Sequence, residues 1–146
     1  MSNIINNQMI EEIRNLLISS RLQLQQSVNS VMVQTYWNIG KIIVEDEQDG
    51  QERAAYGKKQ LEQISNTLTQ EFGKGFDARN LRSMRQFSLN FSNWNAVSTK
   101  LSWTHYRTLI RIENQDARDW YIKETIENNW STRALERQIS KLYYER

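Results

Sequence analysis

The chain has no cysteine, no proline, one histidine and only five glycines among 146 residues. The missing cysteines exclude disulfides, thiolate nucleophiles and Cys-ligated zinc or iron–sulfur centres. A lone His105 argues against a histidine-based metal site, because such sites combine several ligands. With no proline, few glycines, and Gln, Asn, Glu, Leu, Ile and Arg plentiful, the composition favours long helices, and strand-like alternation is hard to find. No apolar run approaches the roughly 18 residues of a membrane span, and the first seven residues do not form a signal peptide. The expectation is a soluble, cytoplasmic protein with no membrane partner. A net charge of +2 is too small to argue nucleic-acid binding in bulk, so any such argument has to be local.

What is present is enough for a folded core. The hydrophobic fraction is 38%, with five Trp, six Tyr and four Phe, and the length suits one domain over 1–146. From about 9 to 47 the only breaker is Gly40. Ile10, Ile13, Leu17, Leu24, Val28, Val31, Thr35, Ile39 and Ile42 recur there at spacings of three and four. This predicts one long amphipathic helix, or two joined by a kink near Ser19-Ser20 or Gly40. About 38 residues at about 1.5 Å each would span about 57 Å, longer than a compact domain. Part of it is therefore expected to pack on another subunit or domain, with a bent helix folded on itself as the alternative. The acid-rich run 45–52 opposes the helix macrodipole and reads as a solvated loop. It lacks the spacing of a calcium hand.

A second helix is predicted over 56–72, with Leu61, Ile64, Leu68 and Phe72 as its inner stripe. Gly73-Lys74-Gly75 then makes a turn, and a third helix runs to about Phe91. Asp77 is placed to cap it, and Phe76 with Leu81 has the spacing of a hydrophobic staple. Leu81, Met84, Phe87 and Phe91 share one face, while Arg79, Arg82 and Arg85 project to roughly the opposite side. Two helices about a glycine turn, the second with outward arginines, outline a helix-turn-helix whose second helix would enter a major groove. From spacing alone a solvated face is the favoured reading. Residues 93–100 form a polar connection, a candidate vestigial wing. A fourth helix opens at Leu101-Ser102, with Trp103, Tyr106, Leu109 and Ile110 inward and His105, Arg107 and Arg111 more exposed. A fifth is expected over 116–128. A sixth starts at Trp130-Ser131 with Leu135, Ile139 and Leu142 inward, and its pattern is still running through 143–146.

No catalytic constellation emerges. His105 lacks a triad partner, Gly73 and Gly75 lack phosphate-loop spacing, and Glu136-Arg137-Gln138 has no convergent carboxylates for a magnesium site. No cofactor is implied. The aromatics Tyr36, Trp37, Trp94, Trp103, Tyr106, Trp120, Tyr121 and Trp130 could stack bases. Tyr36, Trp103, Tyr106 and Trp130 sit at core-like or staple positions, which favours the core.

Four stretches carry a resemblance. They are residues 36–43 (Tyr-Trp-Asn-Ile-Gly-Lys-Ile-Ile), 75–87 (Gly-Phe-Asp-Ala-Arg-Asn-Leu-Arg-Ser-Met-Arg-Gln-Phe), 101–106 (Leu-Ser-Trp-Thr-His-Tyr) and 130–139 (Trp-Ser-Thr-Arg-Ala-Leu-Glu-Arg-Gln-Ile). In that order they resemble the N-terminal domain of the YhcG-type bacterial PD-(D/E)XK nucleases, over nearly the whole chain. The resemblance implies a helical, winged-helix-like module that delivers a C-terminal nuclease domain to nucleic acid or assembles it. That nuclease domain is absent from this sequence, so no catalytic residue carries over and the chain is not expected to be an enzyme. It also gives His105 a structural role at an interface.

The combined expectation is an all-α fold of about six helices, with a long N-terminal helix and a helix-turn-helix, winged-helix-like core. The expected partner is DNA, met by Arg79, Arg82 and Arg85 with Lys74 and the turn amides; Gln86, and less directly Asn80, would assist. The rival reading is a dimerisation or protein-interaction module in which the first helix pairs two chains and the arginines answer acids such as those at 45–52.

Overall fold

The computed structural model describes residues 7–49, 56–141 and 144–145. Six helices carry the fold: α1 (Asn7–Asp49), α2 (Tyr56–Phe72), α3 (Ala78–Asn90), α4 (Trp103–Leu109), α5 (Gln115–Asn128) and α6 (Thr132–Ser140). There is no strand among the described residues, and the 93–100 connection contains a 3-10 turn at Trp94–Ala96. Its Val97 is buried and its Trp94 ring lies 5.5 Å from Trp37. The all-α fold with a long first helix is as expected.

α1 is one uninterrupted helix of 43 residues, about 64 Å long at about 1.5 Å per residue. It is neither kinked into two helices nor folded back. Gly40, expected as a breaker, is instead a packing notch. A Cβ built there would lie 1.9 Å from the Met84 carbonyl oxygen and 3.1 Å from Ser88 Cβ. Only glycine lets the α1 and α3 backbones approach this closely. Around the notch, Val33, Trp37 and Ile43 are buried on the same side of α1, and Trp37 Nε1 donates to the Phe91 carbonyl at 2.7 Å.

This inner face is not the stripe that the sequence displays most regularly. Ile13, Leu17, Leu24, Val28, Val31 and Ile42 stand 49–66% exposed. At about 100° per residue, Ile42 is about 160° around the helix from Gly40, and Val31 about 160° from Val33. The recurrent stripe is therefore the outer face of α1. The expectation that part of α1 needs a neighbour outside the domain gains a physical basis from this.

α3 is the centre of the body. Leu81, Met84 and Phe87 are fully buried and Phe91 nearly so, as the stripe predicts; each such side chain contributes about 1.5–3 kcal/mol by burial. Leu81 and Met84 join Ile43 and Leu61 in one cluster. Phe87 and Phe91 join Val33, Trp37, Tyr106, Leu109, Tyr121 and Leu135 in the other. The Tyr106 ring lies 4.7 Å from Phe87. Its hydroxyl donates to the Ser98 carbonyl at 2.7 Å and accepts from Ser98 N–H at 2.8 Å, holding the connection onto the core.

Three local expectations are corrected. The acid run does not open into a loop at 45, because α1 continues through Asp49. Asp46 accepts a hydrogen bond from Gln60 of α2 and Glu47 pairs with Arg85 of α3, and these tertiary partners outweigh the unfavourable macrodipole. Positions 50–52 of that run lie outside the described residues. Phe72 is 66% exposed rather than inward, since it ends α2 where Gly73 turns away. The last helical pattern stops at Ser140, with 144–145 in a turn; Leu142 and Tyr143 lie outside the described residues.

Candidate nucleic-acid interface

The α2–α3 turn is set by backbone conformation. Gly73 and Gly75 have φ of +84° and +108°, the left-handed region in which a Cβ is costly. Asp77 then caps α3, its side chain accepting from the Asn80 N–H at 2.9 Å, and Phe76 packs half-buried against the Leu81 cluster. Asn80 fastens the turn to the body. Its amide donates to the Gly75 carbonyl, and its carbonyl accepts from Trp103 Nε1 at 3.3 Å. The side chain is thereby engaged inside the protein, on both its polar ends.

The predicted basic residues divide into two groups. Lys74, Arg79 and Arg82 are exposed at the turn and the N-terminal half of α3, where the macrodipole adds positive potential. Arg85, one turn further on, faces α1: its Nε donates to Glu47 Oε2 at 2.6 Å, and the two side chains are 36% and 21% exposed. Gln86 donates to Asn90 Oδ1 at 2.7 Å, and Asn90 in turn donates to the Ile110 carbonyl at 3.2 Å. The structure thus leaves Lys74, Arg79 and Arg82 exposed about the turn and the start of α3 and holds Arg85 and Gln86 in internal contacts.

The excess of positive charge continues along the sequence beyond α3. Residues 78–112 contain Arg79, Arg82, Arg85, Lys100, Arg107 and Arg111 but no Asp or Glu. Six of the chain's 19 Lys and Arg, and none of its 17 acids, therefore fall on α3, the connection to α4, α4 and the turn that follows it. α4 runs beside α3, joined through Asn80–Trp103 at one end and Asn90–Ile110 at the other. Arg107 lies on the stretch between those ties, and Lys100 and Arg111 are exposed. Net charge taken over the whole chain conceals this asymmetry; charge counted segment by segment would have found it.

The other candidates are structural. His105 completes a capping box with Ser102: its Nδ1 accepts from the Ser102 N–H at 3.2 Å. With Nδ1 an acceptor, Nε2 is the ring donor, to the Trp130 carbonyl at 2.8 Å. This links the starts of α4 and α6, as does the Thr104–Thr132 hydroxyl pair at 2.9 Å. The aromatics pack on one another, Tyr36 on Trp103 at 5.0 Å and Trp103 on Phe87 at 5.5 Å. Among the described residues there is no group of three His, Cys, Asp or Glu able to hold a metal, and no helix long and apolar enough to cross a membrane.

The chain is 36% identical, over a 171-position alignment, to the protein called "Putative nuclease YhcG" from Escherichia coli (strain K12). The alignment covers 95% of this chain and 46% of the relative, so the chain spans about half the length of that protein. No solved structure matches. The DUF1016 N-terminal domain family matches residues 12–146. With its six helices, its capped α3 and its matched span, the chain belongs to the DUF1016 N-terminal domain family.

Proposed function

We propose that this domain binds duplex DNA through the open face formed by Lys74, Arg79 and Arg82, with Arg107 of α4 and Arg111 in the turn after it extending the contact. One observation carries the reading: Lys74, Arg79 and Arg82 are exposed at the turn and the start of α3, and the stretch 78–112 has no carboxylate of its own and, among the described residues, only Arg85 paired with a distant acid, Glu47. Residues near the N-terminus of the second helix are those a helix-turn-helix offers to base edges, while lysine and turn amides hold phosphates. Similarity to a protein named as a nuclease fits a role in presenting DNA to a C-terminal PD-(D/E)XK nuclease domain in a longer, cytoplasmic protein. That domain would supply the chemistry.

The test is fluorescence anisotropy of the domain with a labelled duplex at several salt concentrations, beside Arg79→Ala/Arg82→Ala. Three phosphate contacts give a log–log slope of about −2.7, or about 40-fold weaker binding between about 50 and about 200 mM salt. Losing two contacts should flatten the slope by about 2. Absence of salt-sensitive binding by the parent, or an unchanged slope in a folded variant, would refute the assignment.

A second reading, dimerisation through α1, is favoured by its exposed apolar stripe. The two are compatible, since dimers commonly present paired reading helices.

A further inference from the structure

The outer face of α1 is an apolar surface with nothing of the described domain against it. Ile13, Leu17, Leu24, Val28, Val31 and Ile42 form one stripe at spacings of three, four, seven and eleven, each 49–66% exposed. Towards the N-terminus Leu16, Ile18 and Leu22 are also exposed, at 68%, 51% and 56%, so that stretch presents apolar side chains on several sides. A helix apolar around much of its circumference is normally enclosed by neighbours. At about 25 cal/mol per Å², a side-chain burial of about 1.5–3 kcal/mol corresponds to about 60–120 Å². The six stripe side chains with Leu16 beside them thus offer roughly 400–800 Å², which approaches the about 800 Å² per partner of a stable interface. The range reaches beyond the about 300–600 Å² of the largest apolar patch on a typical monomer.

Charge points to the occupant. Residues 22–40 contain no Asp, Glu, Lys or Arg. A surface meant for an oppositely charged partner would carry charge. An uncharged stripe flanked by Gln, Asn and Ser meets its own copy without repulsion, as a symmetric, self-complementary contact requires. Deepening the second reading above, and resting on it, we propose that the outer face of α1 pairs with the same face of α1 in a second copy of this chain.

This arrangement has a spatial consequence. α3 packs on the inner face of α1, opposite the stripe, so pairing sets four helices in a row: α3, α1, the partner's α1 and the partner's α3. Three helix–helix spacings of about 8–10 Å place the two α3 axes about 24–30 Å apart, with the arginine faces farther out. Successive major grooves on one side of a duplex are about 34 Å apart. Self-pairing therefore brings two copies of the basic face into the range of one turn of DNA.

Sedimentation equilibrium of the 146-residue chain at micromolar concentrations should give twice the 17.4 kDa chain mass. Leu17→Glu/Leu24→Glu/Val28→Glu, at three exposed positions, should return it to the mass of a single chain. Tryptophan emission, reporting the buried Trp37, should stay that of the folded body. A parent that stays monomeric at high micromolar concentration overturns the proposal and leaves the stripe to another occupant, such as the remainder of a longer chain. A triple variant that remains dimeric overturns it too. Arg79→Ala/Arg82→Ala should keep the doubled mass whether or not DNA binds, so failure of the DNA reading and failure of the pairing are separable. Should the triple variant lose its folded signal, Leu24→Gln alone, uncharged and helix-compatible, should still weaken association at least tenfold; unchanged association would equally refute the pairing.

Discussion

Gly40→Ala tests the packing of the whole body through one methyl group. In a solvent-facing helix the change would stabilise by about 1 kcal/mol, because alanine is the better helix former. Here the new Cβ falls 1.9 Å from the Met84 carbonyl oxygen and 2.6 Å from its carbon, atoms that belong to the α3 backbone and cannot rotate away. The helices must separate by more than about 1 Å to restore ordinary contact, and a gap of about 0.5–1 Å forfeits a quarter to a half of each dispersion contact across it. Val33, Trp37, Ile43 and Met84 all pack at this crossing, each worth about 1.5–3 kcal/mol by burial. Losing about a quarter to a half of that and regaining the propensity term leaves a net destabilisation of about 2 kcal/mol, within the usual overpacking range of about 1–3 kcal/mol. For a domain of this size that lowers the melting temperature by about 4–8 °C. Urea unfolding followed by tryptophan fluorescence measures it, with Asn38→Ala on the exposed side of the same helix as the control, expected to gain about 0.5 kcal/mol. If Gly40→Ala were as stable as the parent or more so, the α1–α3 crossing would not be as close as described, and the account of the core would fail.

Two further perturbations probe other parts of the fold. Burial holds the Tyr106 phenol well above its ordinary range, partly offset by the hydrogen bond it accepts from the Ser98 N–H; the unfolded chain ionises near 10 while the folded one does not. The stability this contributes is fully present below about pH 10 and is lost as pH rises beyond it, by at most about 1.4 kcal/mol per pH unit. Urea titrations at increasing alkaline pH should show that decline, and Tyr106→Phe should flatten it while costing about 1–3 kcal/mol at neutral pH for the unpaired Ser98 groups; an equal slope in the variant would refute the assignment. Ser102→Ala removes the cap of α4 and the partner of His105, and should cost about 1 kcal/mol by calorimetry. No loss would mean that the His105–Trp130 bond fixes the helix start unaided.

Much of α3 was legible in the sequence because its determinants are local. Asp77, Phe76 and Leu81 lie within one turn of the helix start, and the apolar spacing to Phe91 needs no distant partner. The same holds for Ser102 and Ser131 as caps. α1 was legible as a helix but not as a surface. Period identifies an apolar face without saying which side of the helix the domain lies on, and here the more regular face is the outer one. The inner face is read from Val33, Trp37, Gly40 and Ile43, an irregular set including a residue with no side chain. Gly40 looks like a weakness until the Met84 carbonyl is known to be opposite it. Likewise the acids at 45–49 look like a helix end until Arg85 and Gln60 are seen beside Asp46 and Glu47. At the candidate interface the arginines could be named from their spacing. That Arg85 is held by Glu47 while Arg79 and Arg82 are not depends on how α1 crosses α3.

Because the buried residues of α1, Val33, Trp37, Gly40 and Ile43, all lie in its C-terminal half, the helix runs on two clocks. Near Val33 to Ile43 a backbone hydrogen bond opens only when the core does, and its exchange with solvent is as slow as global unfolding. Between Asn7 and Met32 the helix has no buried residue, and in a single, unpaired chain a segment of this length is marginal in water. Such turns open and re-form in about 0.1–1 μs. A single continuous helix thus spans nearly the full range of local stabilities available to the protein, fixed where it meets α3 and quick to open where it leaves the body.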